Sequence, residues 1–267
     1  MKLLILGAGG YLGGVLYAQA TARADVTAVG VTRHPADGMR QADVMREADI
    51  APCLREAAPD AVAWCLADME HETALSAIGL ANVLQALPPR TRFIYTSTML
   101  SSGANQMEDT PPQPRAASAY LAEYVNGKIA GEALTRTRAN HVILRPGQVY
   151  GLDARGEWDK RMQRIAAKCS AGQALPRAAD ASVSTVHVAD LADSILELCG
   201  SGFTGTMNIA APPVSYFNFY RHLATLAGLP AACIIPQSPS DAPDDTLDTR
   251  LRRQALHTGI REIPDDA

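Results

Sequence analysis

The chain has 267 residues, of which 47% are hydrophobic and 19% charged, with a formal net charge of −4. This composition is ordinary for a globular protein, and a weakly negative chain without a Lys/Arg block argues against nucleic-acid or anionic membrane partners. No apolar run approaches the roughly 20 residues of a membrane span, and the short apolar start leads into glycines instead of a signal-peptide cleavage site. The five scattered cysteines form no metal-binding pattern, so we expect no metal and reduced thiols in a cytoplasmic protein.

The N-terminal segment carries the first motif. An apolar strand at residues 3–6 runs into Gly7-x-x-Gly10-x-x-Gly13, and an apolar helix follows. Gly7 permits a tight turn, Gly10 lets the backbone approach phosphates, and Gly13 lets the helix pack closely on the strand. The free N–H groups of that helix then face an anion. The position of the motif between a strand and a helix favours a dinucleotide-binding loop over a ligand-free turn.

Strand and helix patterns alternate over the first 150 residues. Short strands that are apolar on both faces are predicted at 3–6, 26–31, 61–66, 92–96 and 141–144, with helices at 13–23, 50–57, 72–87 and 120–136. This rhythm predicts an α/β fold, a Rossmann doubly wound parallel sheet. Residues 151–267 are predicted to form a small C-terminal substrate-binding subdomain, parts of which return to the sheet. Its predicted elements are helices at 158–171, 189–199 and 218–227, strands at 184–187 and 207–209, and an exposed loop at 236–245.

The second strand ends without the acidic residue that usually holds the ribose hydroxyls of NAD. Thr32 and Arg33 stand there instead. A guanidinium pairs well with phosphate, so these residues favour the 2′-phosphate of NADP, with NAD as the alternative.

Tyr124 and Lys128 are spaced to share one face of a predicted helix. A free phenol has a pKa near 10, and a neighbouring ammonium favours the phenolate and so lowers that pKa. The pair is therefore a candidate general acid–base. Upstream, the strand at 92–96 leads into Ser97 and Thr98, where a hydroxyl could bind a substrate oxygen or simply cap the strand end.

Taken together and in order, these motifs resemble the extended short-chain dehydrogenase/reductase family of NAD(P)-dependent sugar-nucleotide epimerases, dehydratases and reductases. The resemblance spans roughly residues 1–210. It rests on the glycine triplet, Ser97-Thr98, Tyr124-x-x-x-Lys128, and the segments at 144–151 and 186–192.

The resemblance implies a role for each matching residue. Thr98 orients the substrate oxygen, Tyr124 transfers the proton, and Lys128 holds the nicotinamide ribose. Asp49 accepts from the adenine amine, and Ile50 lies beside the adenine ring. The implied cofactor-binding set is Gly7, Gly10, Tyr11, Leu12, Gly13, Thr32, Arg33, Asp49, Ile50, Tyr124 and Lys128.

Several positions depart from the family pattern. Met99 and Leu100 follow Thr98 where the sugar-nucleotide 4,6-dehydratases carry an acidic pair, which disfavours dehydration. Ser76 stands where the family commonly has Asn. Substrate contacts are assigned to Met99, Arg145, Tyr150 and Arg177, the last as a candidate for the phosphates of a nucleotide diphosphate.

We therefore expect an NAD(P)-dependent oxidoreductase or epimerase that moves a hydride between nicotinamide and a hydroxyl or ketone carbon. Its substrate is a sugar nucleotide or a small-molecule ketone. The alternative is a non-catalytic NADP-binding redox sensor, against which the intact pair of Tyr124 and Lys128 argues. The family resemblance also implies a homodimer through a helix pair that includes residues 120–136.

Overall fold

A seven-stranded parallel sheet forms the centre of the computed structural model, which describes residues 1–264. In chain order the strands of the whole described structure are β1 (Lys2–Leu6), β2 (Thr27–Thr32), β3 (Arg40–Gln41), β4 (Ala61–Trp64), β5 (Arg92–Thr96), β6 (Gly103–Gln106), β7 (His141–Pro146), β8 (Gln148–Tyr150), β9 (Leu175–Ala178), β10 (Ser182–Val183), β11 (Thr185–His187), β12 (Gly205–Ile209), β13 (Val214–Ser215), β14 (Ile234–Gln237) and β15 (Asp245–Leu247). The seven strands of the main sheet lie in the order β12-β7-β5-β4-β1-β2-β3, and the other strands form smaller sheets.

Helices flank this sheet on both faces, and two further helices pack in the C-terminal lobe. In chain order the helices are α1 (Tyr11–Thr21), α2 (Glu47–Ala57), α3 (Glu72–Ala74), α4 (Ala81–Ala86), α5 (Ala122–Thr135), α6 (Lys160–Ser170), α7 (Val188–Gly200), α8 (Tyr216–Leu226) and α9 (Arg250–Ala255). The two helices in the C-terminal lobe are α6 and α8. Among residues 1–264, none of the helices has the length and apolar character that crossing a membrane requires.

The two faces of the sheet carry separate apolar cores because successive strand side chains point in opposite directions. On one face, Leu3 and Ile5 of β1 pack with Leu16 of α1 and Ile195 of α7. On the other face, residues of β1 and β4 pack with α2 and α4. This doubly wound sheet confirms the predicted fold class.

The predicted helix at 72–87 is interrupted. Its middle is a π-helical turn at Leu75–Leu80, which joins α3 directly to α4. A π-turn inserts one residue beyond the regular helical repeat, and such turns are common at functional sites. Periodicity alone predicts a single regular helix here, because the apolar pattern on either side of the turn is helical.

The C-terminal lobe has its own apolar core, which contains Met162, Phe219 and Ile234. Cys169 of α6 and Cys233 of the short 3₁₀ turn Ala231–Cys233 form a disulfide within this lobe. The expectation that all five cysteines are reduced is therefore wrong for this pair, because packing brings together two residues that lie 64 positions apart.

Residues 205–209 supply the edge strand β12 of the main sheet, and residues 265–267 of the predicted subdomain lie outside the described residues.

Candidate active site

The glycine loop between the carboxyl end of β1 and the start of α1 has a shape suited to binding an anion, and we call this loop at residues 7–13 the cradle. Gly7 has a φ of +85°, and a Cβ at Gly13 would overlap the Gly7 carbonyl oxygen. Gly10 caps α1 without a side-chain hydrogen bond, and the first turn of that helix carries no acidic residue. The first N–H groups of α1 therefore remain available for a phosphate. These features fit a dinucleotide pyrophosphate.

Tyr11 and Leu12 begin α1 directly after this loop. The Tyr11 hydroxyl donates to the Gly151 carbonyl oxygen at 2.8 Å, and Leu12 packs against the apolar core. The side chains of both residues are thus committed to the protein, so their contribution to a pyrophosphate site would come from backbone N–H groups.

The end of β2 lies beside the glycine loop, since the N–H groups of Gly7 and Ala8 donate to the Val31 carbonyl oxygen. A Cβ at Gly9 would come within 3.1 Å of the Thr32 hydroxyl oxygen. Arg33 follows and is exposed. The structure thus brings both residues of the predicted NADP contact to the edge of the cradle.

Asp49 and Ile50 do not lie as the sequence predicts. Asp49 is in the first turn of α2, with Oδ2 3.6 Å from the Arg46 Nε, and the Ile50 side chain is fully buried in the apolar core. A side chain without exposure has no face free for an adenine ring, so the assignment of Ile50 is wrong in this structure. Asp43 lies two residues beyond β3 instead, next to the segment after β2. Sequence reasoning missed it because β3 has only two residues and no strand was predicted there.

Thr98, Tyr124 and Lys128 come together at the carboxyl edge of the sheet. The Tyr124 phenol is hydrogen-bonded to the Thr98 side chain, and the Lys128 Nζ lies 5.8 Å from the centre of the Tyr124 ring. Lys128 donates to the carbonyl oxygens of Leu66 at 3.0 Å and Thr96 at 3.1 Å. The three predicted catalytic side chains therefore form one constellation.

The protonation state of Tyr124 differs from the expectation. Burial raises its pKa to about 12, and the negative charge of Glu72 acts in the same direction, while the hydrogen bond from Thr98 opposes them. The prediction that Lys128 lowers the pKa of Tyr124 below its ordinary value is wrong here. The main reason is burial of the phenol, and the Glu72 carboxylate, 3.0 Å from the Lys128 ammonium, offsets the charge of that lysine. Tyr124 is therefore a neutral phenol at neutral pH.

Glu72 is a functional candidate that sequence analysis did not identify. Its side chain has no exposed surface, and neither its spacing nor its neighbours in sequence set it apart from a surface glutamate. Only the packing of α3 against α5 brings it to Lys128.

Two predicted substrate residues are turned into the protein. Arg145 is buried and makes a two-pronged contact with Glu132, from Nε to Oε1 at 2.9 Å and from Nη2 to Oε2 at 2.8 Å. Tyr150 is 2% exposed and packs edge-on against His187 and Phe219. Both assignments to a substrate cleft are therefore wrong in this structure, because inward partners from other elements occupy these side chains.

Met99 and Arg177 keep partly exposed side chains. Met99 directly follows Thr98, whereas Arg177 lies on β9 in the C-terminal lobe. The Arg177 guanidinium carbon is 4.4 Å from the centre of the Tyr220 ring, and both residues line a pocket of about 330 Å³ with Tyr216 and Asp241.

A parallel Rossmann sheet with a dinucleotide-type glycine loop after its first strand defines the class of dinucleotide-binding α/β proteins. The chain belongs to the NAD-dependent epimerase/dehydratase family, whose family model matches residues 3–210. This confirms the predicted family and its NAD(P)-dependent oxidoreductase or epimerase chemistry. No protein of curated function matches the sequence.

Solved structures of similar fold include three informative complexes. The Bordetella bronchiseptica enzyme WbmH in complex with NAD⁺ has 20% identity and a TM-score of 0.79, with 98% of this chain and 94% of that chain covered. A Bacillus anthracis dTDP-4-dehydrorhamnose reductase in complex with NADP has 19% identity and a TM-score of 0.77, with 97% and 94% covered. The Bordetella bronchiseptica enzyme WbmG in complex with NAD and UDP has 19% identity and a TM-score of 0.77, with 99% and 90% covered.

Proposed function

We propose that this protein is an NADP-dependent reductase that acts on the ketone carbon of a sugar nucleotide or a related small-molecule ketone. The observation that carries the proposal is the juxtaposition of Thr98, Tyr124 and Lys128 at the carboxyl edge of the sheet. A phenol that keeps its proton at neutral pH is suited to donate that proton to a developing alkoxide. This favours reduction over the reverse oxidation.

The geometry of the glycine loop between β1 and α1 indicates which residues would hold the cofactor. The N–H groups at Gly10, Tyr11, Leu12 and Gly13 would face the pyrophosphate, and Lys128 the nicotinamide ribose. Thr32 and Arg33 favour the 2′-phosphate of NADP, because a guanidinium and a hydroxyl both donate to phosphate oxygens. Asp43 takes the place first given to Asp49 as the acceptor for the adenine amine.

The bound nicotinamide supplies the hydride. The residues of the chain control the proton and the position of the substrate. Thr98 donates to the substrate oxygen and holds it next to Tyr124, whose Oη gives up its proton to that oxygen. Lys128, held by the carbonyl oxygens of Leu66 and Thr96, presents its positive charge to the Tyr124 ring as the phenolate forms.

The sugar-nucleotide class is supported by the family and by a nucleoside diphosphate, UDP, in the complex of WbmG. In this chain, Arg177 beside Tyr220 offers a cation and an aromatic face in the C-terminal lobe. Dehydration is not proposed, because Met99 is apolar and Leu100 is 3% exposed, so the two positions after Thr98 supply no acid or base.

The proposal is tested by following NADPH oxidation with a panel of ketones and keto-sugar nucleotides, for the parent and for Tyr124→Phe. We expect the variant to lose roughly 10²- to 10⁴-fold in kcat, as is typical for removal of a general acid, while its affinity for NADPH is kept. Turnover that is unchanged in Tyr124→Phe would remove this residue from the mechanism. Binding of NADPH without turnover of any substrate would favour the redox-sensor alternative, and interconversion of substrate epimers without net oxidation would favour an epimerase.

A homodimer remains part of the proposal. α5 packs against the π-turn, and Ile78 of that turn leaves 48% of its side chain exposed. An exposed isoleucine on a helix pair is suited to a partner surface. Light scattering of the parent and of Ile78→Asp tests this, with a monomeric variant as the expected result and a monomeric parent as the contradicting one.

A further inference from the structure

Two opposite charges lie fully inside the protein next to the catalytic pair. The side chains of Glu72 and Lys128 are 0% and 1% exposed, and the Glu72 Oε1 lies 3.0 Å from the Lys128 Nζ. The other carboxylate oxygen, Oε2, accepts from the Asp68 N–H at 2.7 Å. The carboxylate is therefore held on one side by backbone and on the other by the ammonium.

A close contact between two helices brings Glu72 to this position. Gly127 of α5 faces the start of α3, where a Cβ would lie 2.5 Å from the Glu72 carbonyl carbon. The missing side chain lets the two helices approach closely. Since Gly127 directly precedes Lys128, the same contact sets the distance between the two charges.

A purely structural role explains this pair poorly. Replacement of a buried ion pair by apolar residues of similar size is often neutral or stabilising, so stability alone does not account for the two charges. Lys128, however, needs its charge for the reaction. A buried ammonium without a counter-charge tends to lose its proton.

The other groups that face Lys128 do not supply this counter-charge. Burial raises the pKa of Cys65 to about 12, and burial raises the pKa of Tyr95 even further, so both are neutral at neutral pH. Tyr124 is likewise a neutral phenol. Glu132 is ionised but is committed to Arg145 and Arg136. Of the groups named here, Glu72 is the anion in direct contact with the ammonium.

We propose that Glu72 is a positioning residue whose carboxylate keeps Lys128 charged and fixed behind Tyr124. The effect on the ammonium follows from the structure itself, and only the kinetic consequence rests on the proposed function. Burial lowers the pKa of Lys128 and raises that of Glu72, and the attraction between the two charges opposes both shifts. Glu72 is the largest of the influences that raise the pKa of Lys128. Removal of the carboxylate takes this influence away, so the ammonium then loses its proton at a lower pH.

The first test observes Lys128 without any turnover. The chain has four lysines, Lys2, Lys128, Lys160 and Lys168, so the ¹³Cε resonances of labelled lysine are resolvable by NMR, and Lys128→Met identifies the signal. We expect Lys128 to be an ammonium at about pH 8 in the parent, below the ordinary lysine pKa, and to titrate at lower pH in Glu72→Gln. Glu123→Gln is the matched control, because Glu123 of α5 accepts from the Thr73 N–H of α3 without contacting Lys128.

The second test uses the pH profile of kcat/KM for NADPH-linked turnover. In Glu72→Gln we expect the alkaline limb to move to lower pH, with about a tenfold loss of kcat/KM for each pH unit above the new midpoint. Glu123→Gln should keep the parental profile. Glu72→Asp, which retains a carboxylate, should restore part of the shift.

These readouts separate the two proposals. If the parent protein turns over none of the substrates, the proposed function is contradicted. The NMR titration of Lys128 still tests whether Glu72 keeps that lysine charged. An unchanged Lys128 titration in folded Glu72→Gln overturns the role of Glu72, whatever the activity. If Glu72→Gln does not fold, the titration of Lys128 in the parent protein tests the proposal by itself. A neutral Lys128 amine at about pH 8 in the native protein contradicts the proposal.

Discussion

Ser97 and Thr98 are neighbours in sequence, but their side chains serve different parts of the molecule. Thr98 is hydrogen-bonded to Tyr124, whereas Ser97 is 3% exposed and faces the Glu132 carboxylate. This division follows from the alternation of side chains along an extended segment. It leaves Thr98 as the hydroxyl proposed to orient the substrate and places Ser97 in the interior.

The selectivity of the cofactor site is a residue-scale prediction. Arg33→Ala should weaken NADPH binding far more than NADH binding, because only NADPH carries the 2′-phosphate that the guanidinium would contact. The dissociation constants of both cofactors, measured by fluorescence titration, check this. Arg23→Ala is the control, since Arg23 pairs with Asp25 at the opposite end of β2. Equal losses for the two cofactors in Arg33→Ala contradict the prediction.

The buried contact between Arg145 and Glu132 gives a second prediction at this scale. Arg145→Met leaves the Glu132 carboxylate buried without its two-pronged partner, so we expect a loss of about 3–5 kcal/mol in the free energy of unfolding. Urea unfolding measures it. Arg136→Met removes the other, 43% exposed partner of the same carboxylate and should cost at most about 1 kcal/mol. A similar small loss in both variants would show that Arg145 is not the structural partner inferred here.

At the scale of elements, the long helical region from Glu72 to Ala86 joins the site to the rest of the fold. Its first turn packs on α5 near Lys128, and its π-turn places Gly79 against Val44, where a Cβ would lie 2.9 Å from the Val44 Cγ2. The region thus contacts both α5, which carries Tyr124 and Lys128, and the segment that holds Asp43. One helical region therefore supports both the proposed catalytic residues and the proposed adenine contact.

The close approach of α3 and α5 is tested by Gly127→Ala. Because the added methyl would meet the backbone at Glu72 and not a flexible side chain, we expect a destabilisation of about 1–3 kcal/mol. Thermal unfolding measures the change. Gly200→Ala at the end of α7 is the control, since a Cβ there meets nothing within 4 Å. If both substitutions leave Tm unchanged, α3 and α5 can accommodate the added methyl group, and the predicted close approach is contradicted.

Sequence patterns predict most of the sheet but only part of the site. Buried parallel strands are recognisable because they are short and apolar, and the glycine loop and the pair of Tyr124 and Lys128 are local motifs with fixed spacing. The partners of Arg145 and Lys128 are carboxylates on other elements, Glu132 and Glu72, and their contacts exist only after the helices pack. Local spacing therefore predicts the proposed catalytic residues but not the buried charges that contact them.

At the scale of the whole molecule, the C-terminal segment is fastened back onto the Rossmann sheet through α7. The Glu197 carboxylate of α7 accepts from the N–H groups of His257 and Thr258, both at 2.8 Å, and from the Thr258 hydroxyl at 2.6 Å. Nearby, Asp190 of the same helix accepts from the Arg261 N–H at 2.8 Å. A single helix thus anchors a segment about sixty residues further along the chain.

This anchor predicts how stability depends on pH. Hydrogen bonds to the carboxylate lower the pKa of Glu197 to about 2 against the opposing effect of burial. A depressed carboxyl pKa contributes stability that is fully present above its unfolded value near 4.3 and is lost as the pH falls towards 2. Glu197→Gln should therefore flatten the fall of Tm between about pH 4 and pH 2. Glu157→Gln, at an exposed position, serves as the control. The same fall of Tm at low pH in the parent and in Glu197→Gln would contradict the stabilising role of Glu197.

The π-turn at Leu75–Leu80 lets this helical region contain one residue more than a regular α-helix of the same rotation. Each residue of a regular α-helix advances the direction of its side chain by about 100°, so an extra residue in an unbroken α-helix would turn Glu72 by about that angle relative to α4. The wider π-turn absorbs the extra residue, and the Glu72 carboxylate stays on the side of Lys128. A related chain with a regular α-helix here would therefore be one residue shorter and could still place a counter-ion beside its lysine. A sequence alignment without a gap at this turn would compare Glu72 with the wrong residue of that chain.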